Sequence, residues 1–598
     1  MLGAATSAAR LGRLARRGSR ALSAAAASGP APVQLRIDDA HLVRPKHPIH
    51  IPVDTLPDLV WRNTARWQDK IAIECGVTGR RLTYAQLRDA SRRLAVALRS
   101  ARMLGPRRPE EEEEGEGGRR GADAAVLMAN APEFPVVMLG AAEARVVLST
   151  INPAYTPEEV GRQLADNGAR VVFADAACVP LAQAALARRP DGQRPLLVRV
   201  GPGDAPPGVL RFEDITGPGA PLDSPDIPEG DPNAVCVLPY SSGTTGLPKG
   251  VLLAHRALTA NMHQIQHPEV AHVRATEGDF QDVIPAVLPF FHIYGMVVVL
   301  LNSLCMGAKV VSLPKFDPAG FVRTMIEKKA TGLFAAPPLV LFLAGHPSVP
   351  AETLASLRFV LCGAAPLAAA DAERLLARAS HHIDLVQGYG MTEASPVLTQ
   401  GRKGFMGAVG PPLPATEAVV INMDTLSSVP HGQEGELCFR GPQVMNGYWQ
   451  RPEDTASTLV AGGWLRTGDV GRLDENGDFL ILDRAKELIK VKGFQVAPAE
   501  LEALLREHAA VAEAAVVGLP DARAGELPCA YVVPRAPPGD AAAGDALRAA
   551  LAAHVARHVA RHKQLAGGVR LVADIPKNAS GKILRRRLRD EPPPEIAT

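Results

Sequence analysis

Residues 238–251 read Leu-Pro-Tyr-Ser-Ser-Gly-Thr-Thr-Gly-Leu-Pro-Lys-Gly-Val. Gly243, Gly246 and Gly250 let the backbone turn tightly and bring its N–H groups close to a ligand. The hydroxyls of Ser241, Ser242, Thr244 and Thr245 are further donors, and Lys249 adds a positive charge. A loop of this composition suits a polyphosphate. Its spacing excludes a Walker A loop. Counting from Gly243, Pro248 stands where the second glycine belongs and Gly250 where the Ser/Thr belongs. The stretch contains no Gly-x-Gly-x-x-Gly either.

Further clusters that could do chemistry follow in order. They are Pro289-Phe290-Phe291-His292-Ile293-Tyr294-Gly295, Gly363-Ala364-Ala365-Pro366 and Gln387-Gly388-Tyr389-Gly390-Met391-Thr392-Glu393. Gly463-Trp464-Leu465-Arg466-Thr467-Gly468-Asp469 comes next, then Asp483-Arg484-Ala485-Lys486-Glu487-Leu488-Ile489-Lys490-Val491-Lys492-Gly493-Phe494-Gln495. Pro576-Lys577-Asn578-Ala579-Ser580-Gly581-Lys582 lies near the end.

The elements that must position these residues are legible from periodicity. Ala234 to Leu238 is an apolar strand before the loop, and Ala254 to Ile265 reads as a helix after it. Tyr84 to Ser100 reads as a helix. Apolar runs at 124–128, 171–173, 196–200, 309–313, 359–361 and 385–387 alternate with helical stretches, and many end in Gly-rich turns. That is an α/β pattern with strand-end loops facing a site. Residues 417–441 change to β runs and turns, and Asp474-Glu475-Asn476-Gly477-Asp478 signals a hairpin. After Arg484 the pattern predicts helix, strand, strand, helix, strand in a compact α+β unit, with the boundary at 483–486.

Taken together, the motifs resemble the adenylate-forming superfamily of acyl-CoA synthetases, adenylation domains and beetle luciferases, and within it the branch of 4-coumarate–CoA ligases and luciferases. The resemblance covers roughly residues 45–590. It implies an α/β fold with a large, multi-subdomain N-terminal adenylate-forming domain (38–483) and a small α+β C-terminal lid (484–598) joined by a hinge. The implied reaction is ATP-dependent activation of a carboxylic acid as acyl-AMP, with release of pyrophosphate, followed by thioester formation with coenzyme A. A carboxylate must then attack an α-phosphate, anion on anion, so the site must cancel charge and align both groups.

By the same resemblance, Thr244, Thr245 and Lys249 hold the β- and γ-phosphates, and Ser241, Ser242, Gly243 and Gly246 also bind ATP. Thr392 takes the α-phosphate and Glu393 a Mg²⁺ ion. Asp469 and Arg484 take the ribose, the backbones of Gly363, Ala364, Ala365, Pro366, Gln387, Gly388 and Tyr389 sandwich adenine, and Gly390 also binds ATP. Lys582 bridges carboxylate and α-phosphate. Lys486 is the hinge, Lys490 belongs to the face presented for the second step, Gly493 and Lys492 border coenzyme A, and His292 gates the acyl pocket. That pocket is assigned to Ile293, Tyr294, Val297, Leu361, Pro396, Val397 and Leu398, beside the glycines. Val297 and Leu361 stand where phenolic-acid ligases carry polar residues, and an apolar wall would leave a buried phenol unpaired. The expected substrate is a medium-chain fatty or arylalkyl acid. The alternatives are a 4-coumarate-type ligase and a luciferase-like adenylating oxygenase. No carrier or condensation module follows Thr598, so coenzyme A is the expected acceptor, and a monomer or homodimer is expected.

Composition limits the rest. The 598 residues are 46% hydrophobic with a net charge of +2, which argues against nucleic acid as partner. No run is long and apolar enough to predict a transmembrane segment. Residues 1–37 hold Arg10, Arg13, Arg16, Arg17, Arg20 and Arg36 and no acid; without them 59 basic face 63 acidic residues. This segment looks like a mitochondrial transit peptide cut near Leu22, which predicts a matrix location. Residues 106–121, with Glu110 to Glu114, read as a disordered acidic insert. The seven cysteines form no C-x-x-C and are expected to be free and buried. His554, His558 and His562 share helical spacing but are read as part of a solvated helix rather than a metal site.

Overall fold

A computed structural model of the chain describes residues 33–100, 102–104, 121–187, 194–224, 227–241, 248–404, 407–485, 487–492, 494–521, 523–578 and 581–596. The expected transit segment through residue 32, the acidic insert over 106–120, Ser242, Gly243, Thr244, Thr245, Gly246, Lys486 and Gly493 lie outside the described residues.

The described residues form five sheets. In the largest, the strands Ala124–Leu127, Leu148–Ile151, Val171–Asp175 and Leu196–Val200 run parallel. Nearly every residue in them is buried, as expected when helices cover both faces. The helix Tyr84–Arg99 packs with Phe134–Glu143 and starts at a Thr83/Gln86 capping box. Val235–Val237 and Lys249–Ala254 complete the route to the loop, and the helix His255–Ile265 follows. The loop residue Lys249 therefore begins a strand, and the predicted helix starts one residue later than expected.

A second sheet orders Val283–Ala286, Lys309–Ser312, Ile71–Cys75 and Arg81–Thr83. A third orders Gly332–Ala335, Phe359–Cys362, Asp384–Gly390 and Val397–Gln400, with the first three parallel. Parallel strands deliver their carboxyl ends to one edge, where ligands of open α/β sheets bind. Those ends are Gly363 and the turn at Thr392–Ala394. The fourth sheet is antiparallel, and its hairpin Trp464–Leu473/Phe479–Arg484 turns through the predicted Asp474–Asp478 segment.

The fifth sheet forms the small domain. It contains Ile489–Val491, Phe494–Val496, Val511–Asp521, Gly525–Pro534 and Val569–Leu571. The unit begins with a hairpin, not the predicted helix; the helix Pro498–Glu507 comes after it. The reason is β-branched alternation in Ile489, Val491 and Val496, whose side chains are buried in this domain's core. All seven cysteines are free and buried. No helix among the described residues is long and apolar enough to cross a membrane.

Candidate active site

A cleft of about 1080 Å³ opens where the large sheets' strand ends meet the small domain. On one side, Ser241 and Lys249 are register partners, so the two ends of the phosphate-type loop lie side by side. The Tyr240 hydroxyl donates to Asp166 at 2.5 Å and fixes the entry to that loop. The Lys249 ammonium lies 2.6 Å from Asp454 and 5.3 Å from the centre of the Tyr448 ring. Thr392 and Glu393 line the cleft on a short turn. The Tyr448 hydroxyl donates to Glu393 Oε1 at 2.8 Å.

Gly363, Ala364, Gly388, Tyr389 and Gly390 line the cleft from adjacent strand ends. Ala365, Pro366 and Gln387 do not. Gln387 instead accepts the Leu367 N–H at 2.9 Å, so its amide shapes the 363–367 turn from behind. Asp469 sits one layer back. Its carboxylate accepts from the Tyr389 hydroxyl at 2.6 Å and pairs with Arg484 at 3.2 Å, while Tyr389 and Arg484 face the cleft.

The small domain contributes Lys582 to the opposite wall. A bridge between Lys577 and Ile583 closes the hairpin that carries it, and Asn578 accepts the Lys582 N–H at 2.8 Å. Burial, aided by the Arg484 charge, pushes the Lys582 ammonium down to about 8. Lys577 also borders the cleft but is engaged by Glu513 at 2.5 Å. Lys490 and Lys492 are exposed outside the cleft. The structure therefore brings Lys582, and not Lys490, to the large-domain residues.

An apolar lobe continues past His292. Asn130 anchors the loop before it, donating to the carbonyls of Ala286 and Leu288 and accepting from Phe290 N–H. Burial pushes His292 down to about 4, so the imidazole is neutral at physiological pH. Ile293, Tyr294, Leu361, Pro396 and Val397 line the lobe. Val297 does not. It is fully buried in the core, and Val298 faces the cleft in its place. The segment Tyr294–Leu301 is a π-helix, whose i→i+5 bonding puts residues four to five apart on one face; Val298 shares that face with Ile293 and Tyr294. Leu398 is likewise buried in a neighbouring core cluster. The Tyr294 hydroxyl is spent on the Leu361 carbonyl at 3.0 Å.

Sequence reasoning missed Tyr448, Asp454, Val298 and the Glu436–Arg466 pair that also borders the cleft. Arg466 lies inside the Gly463–Asp469 motif without being singled out there, and the others lie in none of the motifs quoted above. Among the described residues no group of three or more His, Cys, Asp or Glu could hold a metal ion. Glu393, a buried carboxylate across Tyr448 from Lys249, still fits Mg²⁺, because that ion is commonly held by one or two carboxylates plus substrate phosphates.

Comparison with known proteins agrees with this geometry. The model of the AMP-binding enzyme family matches residues 60–449. The chain belongs to that family. The AMP-binding enzyme C-terminal domain matches residues 500–582 of the small unit. A 4-coumarate–CoA ligase of Oryza sativa subsp. japonica is 39% identical over 521 residues, 86% of this chain and 88% of the relative. A solved benzoate–CoA ligase from Burkholderia xenovorans LB400 aligns with TM-score 0.76 at 26% identity, covering 90% of this chain and 100% of that one. An anthranilate–CoA ligase solved with anthranoyl-AMP aligns with TM-score 0.77 at 26% identity, over 90% of this chain and 97% of that one. Like these family members, the chain has a large N-terminal domain and a small C-terminal one.

Proposed function

We propose that this AMP-binding enzyme is an AMP-forming acid–thiol ligase that activates a carboxylic acid with ATP and passes the acyl group to coenzyme A. In the first step a carboxylate oxygen attacks the α-phosphorus, the bond to the β-phosphate oxygen breaks, and pyrophosphate leaves. In the second the thiol sulfur attacks the acyl carbon, AMP leaves, and the thiol proton is released. The observation that carries this reading is the placement of Lys582. A desolvated ammonium faces the cleft opposite Lys249 and Glu393, which suits an anion caught between two like charges.

Lys249, Thr392 and, outside the described residues, Thr244 and Thr245 would hold the phosphates. Tyr389 and Gly388 would bound the base, with Asp469 and Arg484 on the ribose. Glu393 would hold Mg²⁺, which when bound neutralises phosphate charge. Neutral His292 would separate nucleotide from acyl lobe. Lys490, exposed in this arrangement, would enter the site only after the small domain turns about Lys486, with Gly493 and Lys492 then facing coenzyme A.

The proposed acid is a medium-chain fatty or arylalkyl acid. Val298, Leu361, Pro396 and Val397 offer no hydrogen-bonding side chain, and the Tyr294 hydroxyl is already engaged. The named activity of the plant relatives supports a second reading, a 4-coumarate-type acid. Coenzyme A-dependent AMP release across C6–C12 acids, phenylalkanoates and 4-coumarate separates the two; a clear preference for coumarate overturns the first. The acid-free, arginine-rich first 37 residues support a mitochondrial destination. Diffuse cytosolic fluorescence from residues 1–40 fused to a reporter would refute that.

A further inference from the structure

Tyr448 lies in no motif discussed above, yet it touches both Lys249 and Glu393, the residues read as meeting phosphate and cation. It is 7% exposed and borders the cleft. Its hydroxyl donates to Glu393 Oε1 at 2.8 Å, and its ring centre is 5.3 Å from the Lys249 ammonium. The backbone repeats this double attachment. Tyr448 and Gly447 form a short strand in register with Val251 and Leu252, on the strand that Lys249 begins. Trp449 N–H donates to the Gly250 carbonyl at 2.8 Å and Asn446 N–H to Leu252 at 2.9 Å. Three residues earlier, Met445 N–H donates to the Glu393 carbonyl at 2.9 Å. The Tyr448 N–H is itself held by Thr455 Oγ1 at 2.9 Å. Segment 445–449 thus ties the turn that carries Glu393 to the strand that carries Lys249.

We infer that Tyr448 is a positioning residue that sets the distance between Lys249 and Glu393, so that one polyphosphate and its cation meet both. The chemistry requires such a part. A phosphate loop lysine and a metal-binding carboxylate attract each other, and if they paired directly each would block the other. Tyr448 stands between them with a negative ring face for the ammonium and a donor for the carboxylate. Donation to Oε1 also fixes the Glu393 rotamer and leaves Oε2 for a cation, the part that outer-shell partners of metal ligands generally play. The inference rests on the ligase reading, in which Lys249 takes phosphate and Glu393 the ion.

The experiment uses the full chain with Tyr448→Phe, Tyr448→Leu, Glu393→Gln and the Tyr448→Phe/Glu393→Gln double variant. Calorimetry measures binding of ATP with and without Mg²⁺. ATP–pyrophosphate exchange is titrated with Mg²⁺, and thioester formation is followed from supplied acyl-adenylate. Tyr448→Phe keeps the ring and loses the donor. Its Mg²⁺ half-saturation should rise about tenfold, the low end of outer-shell effects. Binding of metal-free ATP and the thioester step should stay within about twofold of wild type, because Tyr448→Phe keeps the ring against Lys249 and removes only the hydroxyl that faces Glu393. Tyr448→Leu should weaken metal-free ATP as well. Adding Tyr448→Phe to Glu393→Gln should cost nothing more. Unchanged Mg²⁺ half-saturation in Tyr448→Phe, a full additive loss in the double variant, or equal loss of both half-reactions would each overturn the inference. Absence of ATP–pyrophosphate exchange in the wild type would overturn the ligase reading itself, and is seen separately.

Discussion

Replacing Lys582 with arginine tests the electrostatics of the cleft directly. In the ligand-free protein burial and the Arg484 charge lower the lysine from 10.5 to about 8. A group titrating at about 8 is about 91% protonated at pH 7 and about 9% at pH 9, so kcat/KM for adenylation should fall about tenfold between them. Arginine does not titrate in this range, so Lys582→Arg should lower the plateau but abolish the alkaline limb. ATP–pyrophosphate exchange at saturating acid, measured from pH 6.5 to 10, reads both. Because bound anions favour the ammonium, the limb in kcat should lie above that in kcat/KM. The sign for stability follows. The folded pKa is depressed below the unfolded one, so the unfolded chain binds the proton more tightly between about 8 and 10.5, and the ligand-free protein should gain stability over that window, by at most about 3 kcal/mol. A wild-type kcat/KM profile flat to pH 10, or the same limb in Lys582→Arg, would refute the claim that this cleft desolvates Lys582.

Three further outcomes are expected. Lys490→Ala should leave ATP–pyrophosphate exchange intact and slow thioester formation from supplied acyl-adenylate, since Lys490 is exposed outside the cleft; loss of exchange would count against two arrangements of the small domain. Asp454→Asn frees Lys249 from a partly exposed pair worth up to about 1 kcal/mol, so KM for ATP should drop by up to about fivefold, and a rise would show that Asp454 helps rather than competes. In Gly295→Ala the new Cβ would overlap the Pro289 carbonyl oxygen, a backbone clash expected to destabilise by about 3 kcal/mol and visible in thermal unfolding; an unchanged transition would mean the loop before His292 yields freely.

The motifs were legible because each couples a backbone requirement to a chemical group. The Gly-rich strand ends place Gly363, Gly388 and Thr392 on one rim, and periodicity located the strands beneath them. What escaped has no such coupling. Val298 and Val297 are identical in type, and only the π-helical winding decides which one faces the cleft. Tyr448 is an aromatic residue in an ordinary β segment, and its meaning comes from a partner 55 residues away in the chain. The first hairpin of the small domain departs from the expected helix because its two strands are only three residues each, too short to establish a period. Whether Lys582 or Lys490 faces the cleft depends on domain orientation, which no local pattern records.

The seven buried cysteines have a practical consequence. Burial raises Cys178 to about 12 and Cys529 to about 11, and pushes Cys236, Cys305, Cys362 and Cys438 up as well, so these thiols are poor nucleophiles near neutral pH. With all seven thiols buried, the native protein should react slowly with maleimide dyes. Cysteines introduced at Val53, 76% exposed on the large domain, and Arg586, whose side chain is 74% exposed on the small one, would accept a donor–acceptor pair without removing any native thiol. Single-molecule energy transfer between them could follow the small domain through successive turnovers in the unaltered core.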